Sequence, residues 1–270
     1  LQLHYTMDGN AQDASGNNIH GTMVGGVTPA TNRFGEANKS LQLNGTNGHI
    51  TVPSGVYFDG SDFTVTAWVR RAAITSWSRL FDFGNGENSD NILFALSSAT
   101  TGRPVISVRN GATIVGQHTS PTAFANNQWV HLSYTWSNNI GALLVNGSVV
   151  AGGTQQAPLN VVRAINYIGR SHWSNDGFAN ARLDDFRMYN RVLSTHEIQA
   201  LVLEQPNALT ATVSPNNICS GTATNIVGNG LTWRDRLLIG YDIVKALAYL
   251  YSQRVVLPTL SWYVVFAYDH

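Results

Sequence analysis

The sequence predicts an all-β fold, an antiparallel sandwich, from three observations. Apolar and polar residues alternate with a period of two: Phe63, Val65, Ala67 and Val69 against Thr64, Thr66, Trp68 and Arg70, then Val130, Leu132, Tyr134 and Trp136 against Trp129, His131, Ser133 and Thr135. Such alternation marks strands buried on one face. Turn residues separate short strand-like runs at close intervals. No crossover helix lies between the runs, which argues against parallel α/β units.

Further strands are expected at Ser40–Leu43, His49–Val52, Leu80–Phe83, Ile92–Leu96, Val105–Arg109, Thr113–Gln117 and Ala164–Gly169. Asn146-Gly147 inside "ALLVNGSVVAGG" predicts a tight hairpin, because both residues tolerate positive φ. The last strand, "ARLDDFRMYN", poses a problem. Under strict alternation Leu183, Asp185, Arg187 and Tyr189 share one face, and Asp184, Phe186 and Met188 share the other. Asp185 can pair with Arg187, but Asp184 falls in an apolar row, where an unpaired charge is costly. It needs a partner. Ser194-Thr195-His196-Glu197 then reads as a capping box opening a short helix through Ile198, Leu201 and Val202, and Pro206 stops it.

This divides the chain into a sandwich over residues 1–203, a linker or new β segment over 204–227, and a tail over 228–270 that fits no pattern. Composition narrows the function classes. The charged share is 12%, about half the usual ~25%. A net charge of zero offers no basic stripe for nucleic acid. No apolar run reaches the ~20 residues that a membrane span needs. Cys219 has no second cysteine to pair with. Leu1 in place of Met reads as the start of a processed or excised segment, and few charges with much Asn, Gly and Thr suit an extracellular or cell-surface protein.

Seven segments, in order, resemble one family. They are "DASGNNIHGT" (Asp13–Thr22), "RFGEANKSLQLNGTNGHITVP" (Arg33–Pro53), "FTVTAWVR" (Phe63–Arg70), "NQWVHLSYTW" (Asn127–Trp136), Leu143–Gly153, "YIGRS" (Tyr167–Ser171) and "LDDFRMYNRVLSTHEI" (Leu183–Ile198). Residues 1–203 thereby resemble the laminin-G-like modules of the concanavalin A-like lectin/glucanase superfamily, the type common in large secreted bacterial proteins. Ala181 replaces the glycine usual before the last strand. The resemblance implies a jelly-roll sandwich, with a C-terminal extension that it does not cover. The stretch around Cys219 resembles the start of an immunoglobulin-like repeat.

The resemblance also implies that the opening loop and the last strand meet around one structural calcium ion. The ligands carried over are Asp13 and Asp184 by side chain, Asn18 from the loop, and His20 by its backbone carbonyl. Calcium takes about six to eight oxygen ligands, and its binding would add to folding free energy. The alternative is that Asp184 accepts backbone N–H groups from that loop without a metal.

The expected function is carbohydrate binding or adhesion within a larger extracellular protein, with a carbohydrate or cell-surface glycan as the partner. The alternative is a spacer or protein-interaction module that binds no sugar. A sugar site needs a flat aromatic face and nearby hydrogen-bonding groups. Loop aromatics are the candidates: Trp77 in "ITSWSRL", and His172 and Trp173 beside Asn175 and Asp176 in "GRSHWSNDGF". Tyr57 and Phe58 are further options, whereas Trp68, Trp129 and Trp136 read as strand packing. Each loop ring could equally cover the end of the core. Catalysis is not expected. A glucanase needs paired carboxylates on one strand, about 5 Å apart for retention, and no glutamate here has an acid two residues away. His196-Glu197 begins a zinc-helix pattern that Ala200 breaks.

Overall fold

The computed structural model describes residues 1–204. The expected linker and tail, from Gln205 on, lie outside the described residues. Two antiparallel sheets stack face to face. One runs in the order β13 (Ser148–Thr154), β12 (Ile140–Val145), β11 (Val130–Ser137), β6 (Phe63–Arg71), β15 (Asn180–Tyr189), β4 (Ser40–Asn44) and β3 (Val27–Ala30), with β1 (Leu3–Tyr5) also paired to β15. The other runs β10 (Thr113–Thr119), β9 (Val105–Asn110), β8 (Ile92–Ala95), β7 (Arg79–Gly84), β14 (Ile165–Ile168), β5 (His49–Val52) and β2 (Thr22–Val24). This is a jelly-roll sandwich.

The alternating residues fill the space between the sheets as expected. Phe63, Val65, Ala67 and Val69 of β6 and Val130, Leu132, Tyr134 and Trp136 of β11 are buried in one core with Phe81, Phe94 and Ile106 of the facing sheet. Burial of each large apolar side chain stabilises by about 1.5–3 kcal/mol. Phe58 sits edge-on to Phe63 at 4.8 Å and stacks on Phe81 at 6.3 Å, and Tyr57 packs edge-on to Phe83 at 5.1 Å. With 5% and 1% exposure, Tyr57 and Phe58 are core residues, which corrects the expectation that they could serve a ligand.

The strand ends fell within a residue or two of expectation, but β1, β2 and β3 were missed. They are three or four residues long, β2 is exposed at every position, and Pro29 confines β3 to a sheet edge. The Asn146-Gly147 hairpin forms between β12 and β13 with φ of 49° and 77°, the two positive values that a type I′ turn requires. Helix α1 (Thr195–Leu203) opens on the predicted capping box, Ser194 and Glu197 each accepting from the other's backbone. Its Ile198 packs with Leu144 and Leu193.

The last strand does not alternate strictly. Asp184 pairs with Trp68 and Arg187 with Thr66, so two residues on β15 face one on β6. Asp185 takes φ of 56° to make this bulge. The extra residue shifts the phase: Ala181 and Leu183 point into the core before it, Phe186 and Met188 after it. Asp184 therefore does not lie in the apolar row. Both acids leave the core.

Candidate functional site

The two acids enter a charged network on the outer face of the eight-stranded sheet. Arg33 Nη1 donates to Asp184 Oδ2 at 2.7 Å, and the Arg33 guanidinium lies 4.4 Å from the Phe34 ring centroid and 5.3 Å from that of Trp68. Asp185 Oδ1 takes Arg187 Nε at 2.8 Å and lies 2.7 Å from His4 Nε2, and Arg187 Nη2 reaches Glu204 at 3.0 Å. The two carboxyls are displaced in opposite directions. Burial pushes Asp184 up to about 6, although Arg33 opposes it. Burial also raises Asp185, but hydrogen bonding from His4 and the charges of Arg187 and Arg33 outweigh it and hold the group below the usual carboxylate range. His131, stacked edge-on against Trp68 at 5.3 Å, is pushed down to about 3 by burial.

Asp184 thus finds its partner in Arg33. Asp13 is engaged elsewhere: Oδ1 accepts from the backbone N–H of His4 at 3.0 Å and Ser15 at 2.9 Å, and Oδ2 from Ser15 Oγ at 2.8 Å and Ile19 N–H at 3.0 Å. Burial raises this carboxyl, but the donors of Ser15, Ile19 and His4 bring it below its ordinary value. His20 uses Nδ1 to accept from Asp13 N–H at 3.1 Å, and Asn18 is exposed at φ of 58°. Asp13 and Asp184 share no partner, and no group of three or more His, Cys, Asp or Glu suited to a metal occurs among the described residues. The expected donor set does not fit one calcium ion. Backbone acceptance, weighed for Asp184 as the metal-free alternative, is what Asp13 does in the opening loop.

The aromatic candidates behave differently. Trp77, on the loop before β7, and Trp173, on the loop after β14, line one cleft on the outer face of the seven-stranded sheet. Its volume is about 180 Å³, and Arg79, Leu93, Ser107, Arg109, Gln117 and Asp176 complete the lining. Leu93, Ser107 and Gln117 occupy one cross-strand row of β8, β9 and β10, pointing away from the core row of Phe94 and Ile106. Both indoles are half-buried and pack on Leu93, Ala95 and Val105. The rings thus cover a small apolar cluster on the outer face of the sheet, separate from the main core, and a cleft remains between them.

Arg79 joins the two loops. Its Nη1 donates to the Trp77 carbonyl, its Nη2 to Asp176 Oδ2 at 2.7 Å, and its Nε to Asp82 Oδ2 at 3.2 Å. Its guanidinium lies 5.7 Å from the Trp77 ring centroid and 5.5 Å from that of Trp173. Each such contact contributes about 0.5–2 kcal/mol, more as water is excluded. Gly177 N–H donates to Ser76 O at 3.0 Å, and a Cβ at Gly177 would meet Thr75 Cγ2 at 2.0 Å, so only glycine lets the loops close this tightly. Trp77 holds φ of 51°, an unusual value for a bulky side chain, of the kind that concentrates at binding sites.

Of the predicted ligand residues, Trp77, Trp173 and Asp176 converge. His172 turns away, with Nδ1 2.9 Å from Asp82 Oδ1 and Nε2 3.1 Å from Ile165 O, and Asn175 is exposed outside the cleft. Those two expectations are corrected: the first ring is tied to the sheet, and the second residue sits at the tip of the loop. Arg79, Ser107, Arg109 and Gln117 were missed. The available signal was their place in strands, since Ser107 and Arg109 alternate with core Ile106 and Val108.

Residues 1–204 form a jelly-roll sandwich with an aromatic cleft on one sheet face. The chain belongs to the concanavalin A-like lectin/glucanase superfamily, whose laminin G family model matches residues 44–199. No curated protein matches it. Among solved structures it is similar to domain 4 of AbnA, a GH43 extracellular arabinanase from Geobacillus stearothermophilus determined in complex with arabinotriose. The TM-score there is 0.62 and the identity 21%, over 75% of this chain and 98% of that one. It is also similar to the binding domain of Paraclostridial Mosquitocidal Protein 1 (TM-score 0.53, 22% identity, 71% of this chain and 48% of that one) and to that of botulinum neurotoxin serotype G (TM-score 0.59, 15% identity, 74% and 50%). The chain spans about half of each toxin chain. At these identities the likeness establishes the fold. Among the described residues no helix is long and apolar enough to cross a membrane.

Proposed function

We propose that this domain is a non-catalytic carbohydrate-binding module of an extracellular protein and that it holds a sugar chain in the Trp77–Trp173 cleft. The observation that carries the reading is the convergence of two half-buried indoles, from loops far apart in sequence, over a floor where Leu93 lies in one row with polar Ser107 and Gln117. An indole offers an apolar face to the C–H side of a pyranose, while Gln117 and Arg109 meet its hydroxyls. The cleft is smaller than the ~300–1,000 Å³ of sites that enclose a drug-sized ligand, which suits a chain laid across a sheet. Arg79 keeps both rings in place before the ligand arrives, so little ordering is left for binding to impose.

The carboxylates at the cleft support binding without bond cleavage. Asp82 is wholly buried and surrounded by Arg79, Asn91 and His172, and Asp176 Oδ2 accepts from both Arg79 and Ser171. Neither is free to act as an acid–nucleophile pair. The arabinanase domain, determined with arabinotriose, supports a sugar-binding role on this fold. A glycan array read with the native protein and Trp173→Ala tests the proposal. Retention of at least one glycan, lost in the variant, is expected; no retained glycan, or a signal untouched by the substitution, would sink it.

A further inference from the structure

The cleft's hydrogen-bonding groups are unevenly used, and one of its two cations is left with most of its donors open. Asp176, the carboxylate of the cleft lining, accepts from Arg79 and Ser171, and Asp82, wholly buried behind it, accepts from Arg79, Asn91 and the His172 N–H. Arg79 in turn donates through all three of its nitrogens. Arg109 is different. Its Nη1 donates to Ala112 O at 2.9 Å, its Nε is buried without a partner, and nothing among the described residues holds its Nη2. It makes no ion pair with any described carboxylate, and its guanidinium lies 5.3 Å from the Trp173 ring centroid. Ser107 Oγ, in the same lining, is also buried without a partner.

The contrast with other buried arginines is informative. Arg71 and Arg163 also lack carboxylate partners, yet each uses Nε, Nη1 and Nη2 on carbonyl or amide oxygens. A half-buried guanidinium left with one bond is costly, because an unsatisfied buried donor loses its water without replacement. Burial accordingly lowers the Arg109 guanidinium below its ordinary value, and the neighbouring Arg79 adds to the lowering against the attraction of Asp82. An anionic acceptor in the cleft would answer both the charge and the missing bonds, and guanidinium suits carboxylate and sulfate geometry.

We infer that the cleft selects an oligosaccharide carrying an anionic group, a carboxylate or a sulfate ester, which Arg109 binds beside Trp173. This inference rests on the carbohydrate-binding reading of the same cleft.

The experiment is calorimetry of the native domain with an oligouronate, the same oligosaccharide as its neutral methyl ester, and a sulfated oligosaccharide. The oligouronate or the sulfated sugar is expected to bind roughly tenfold more tightly than the ester, a preference that shrinks with added salt and collapses in Arg109→Gln. Which of the two wins identifies the anionic group. Equal affinity for acid and ester, together with no gain for the sulfated sugar, overturns the inference and leaves the cleft as a neutral-sugar site, provided Trp173→Ala still abolishes binding. A preference that persists in Arg109→Gln overturns the assignment to that residue. Failure to bind any of the three sugars, repeated on a wider glycan array, overturns both the inference and the reading beneath it. The comparison on the native protein needs no variant to fold.

Discussion

The two outer faces of the sandwich bury charge in opposite ways. On the eight-stranded sheet, Arg33 and Arg187 are matched by Asp184, Asp185 and Glu204, although the Nε–H of Arg33 and the indole N–H of Trp68 stay unpaired. On the seven-stranded sheet, Arg79 is matched twice and Arg109 not at all, between two indoles that edge a cleft. A face whose ions answer one another needs nothing from outside. A face that leaves a cation and its donors open supports the binding role proposed for it. The first is therefore read as structure and the second as a site.

The strongest way to break this comparison is to cut each face separately. Arg33→Ala leaves Asp184 buried without its counter-ion, and a loss of about 3 kcal/mol of stability is expected by chemical denaturation at pH 8, with sugar binding of the folded protein unchanged. The loss should shrink at pH 5, where Asp184, pushed up to about 6, is already protonated in the native protein. A full-sized loss at pH 5 would contradict the burial account. Trp173→Ala should do the reverse, weakening sugar binding roughly tenfold or more with a small change in Tm. Gly177→Ala should weaken binding by a lesser factor, since its new methyl group drives the two loops apart; unchanged affinity would show that the clasp with Thr75 does not position the rings.

The pH dependence sharpens the charged face. Asp184 has a native pKa above its unfolded value, so the stability it contributes is full below pH 3.8 and is lost as pH rises through about 6. His131 has a native value below its unfolded one, so its contribution is full above pH 6.5 and is lost as pH falls toward 3. Between pH 4 and 6 the two slopes oppose each other. Asp185 and Asp13, held below the usual carboxylate range, add to the loss on acidification. Stability, read by thermal unfolding, should therefore fall with acid more steeply in Asp184→Asn than in the native protein and less steeply in His131→Gln. Matching profiles in all three proteins would refute the assignment. The smallest effect is expected away from both faces: Ser194→Ala should cost about 1 kcal/mol through the helix cap and leave sugar binding alone.

Much of this architecture was legible in the chain. The alternation in Phe63–Arg70 and Val130–Trp136 reports on one residue at a time whether it faces the core, and Asn146-Gly147 and Ser194–Glu197 carry their turn and cap chemistry locally. Trp77, Trp173 and Asp176 could be singled out because aromatic residues in polar loops are unusual enough to notice. Asp184 could be recognised as needing a partner, but not which one. A one-residue bulge at Asp185 reverses the phase of the strand, and bulges leave no clear mark in a period-two pattern.

The sequence by itself thus determined the sandwich, the hairpin, the cap and the residues with unmet chemical needs, because those follow from local conformation and from the period of burial. Only the tertiary structure decided how the needs are met: that Arg33, distant in sequence, neutralises Asp184, that Asp13 is satisfied within its own loop, and that Arg79 and Arg109 lie between two loops bearing tryptophans. Pairings of that kind depend on which strands become neighbours, and strand order is set by the packing of the whole core rather than by any short stretch of chain.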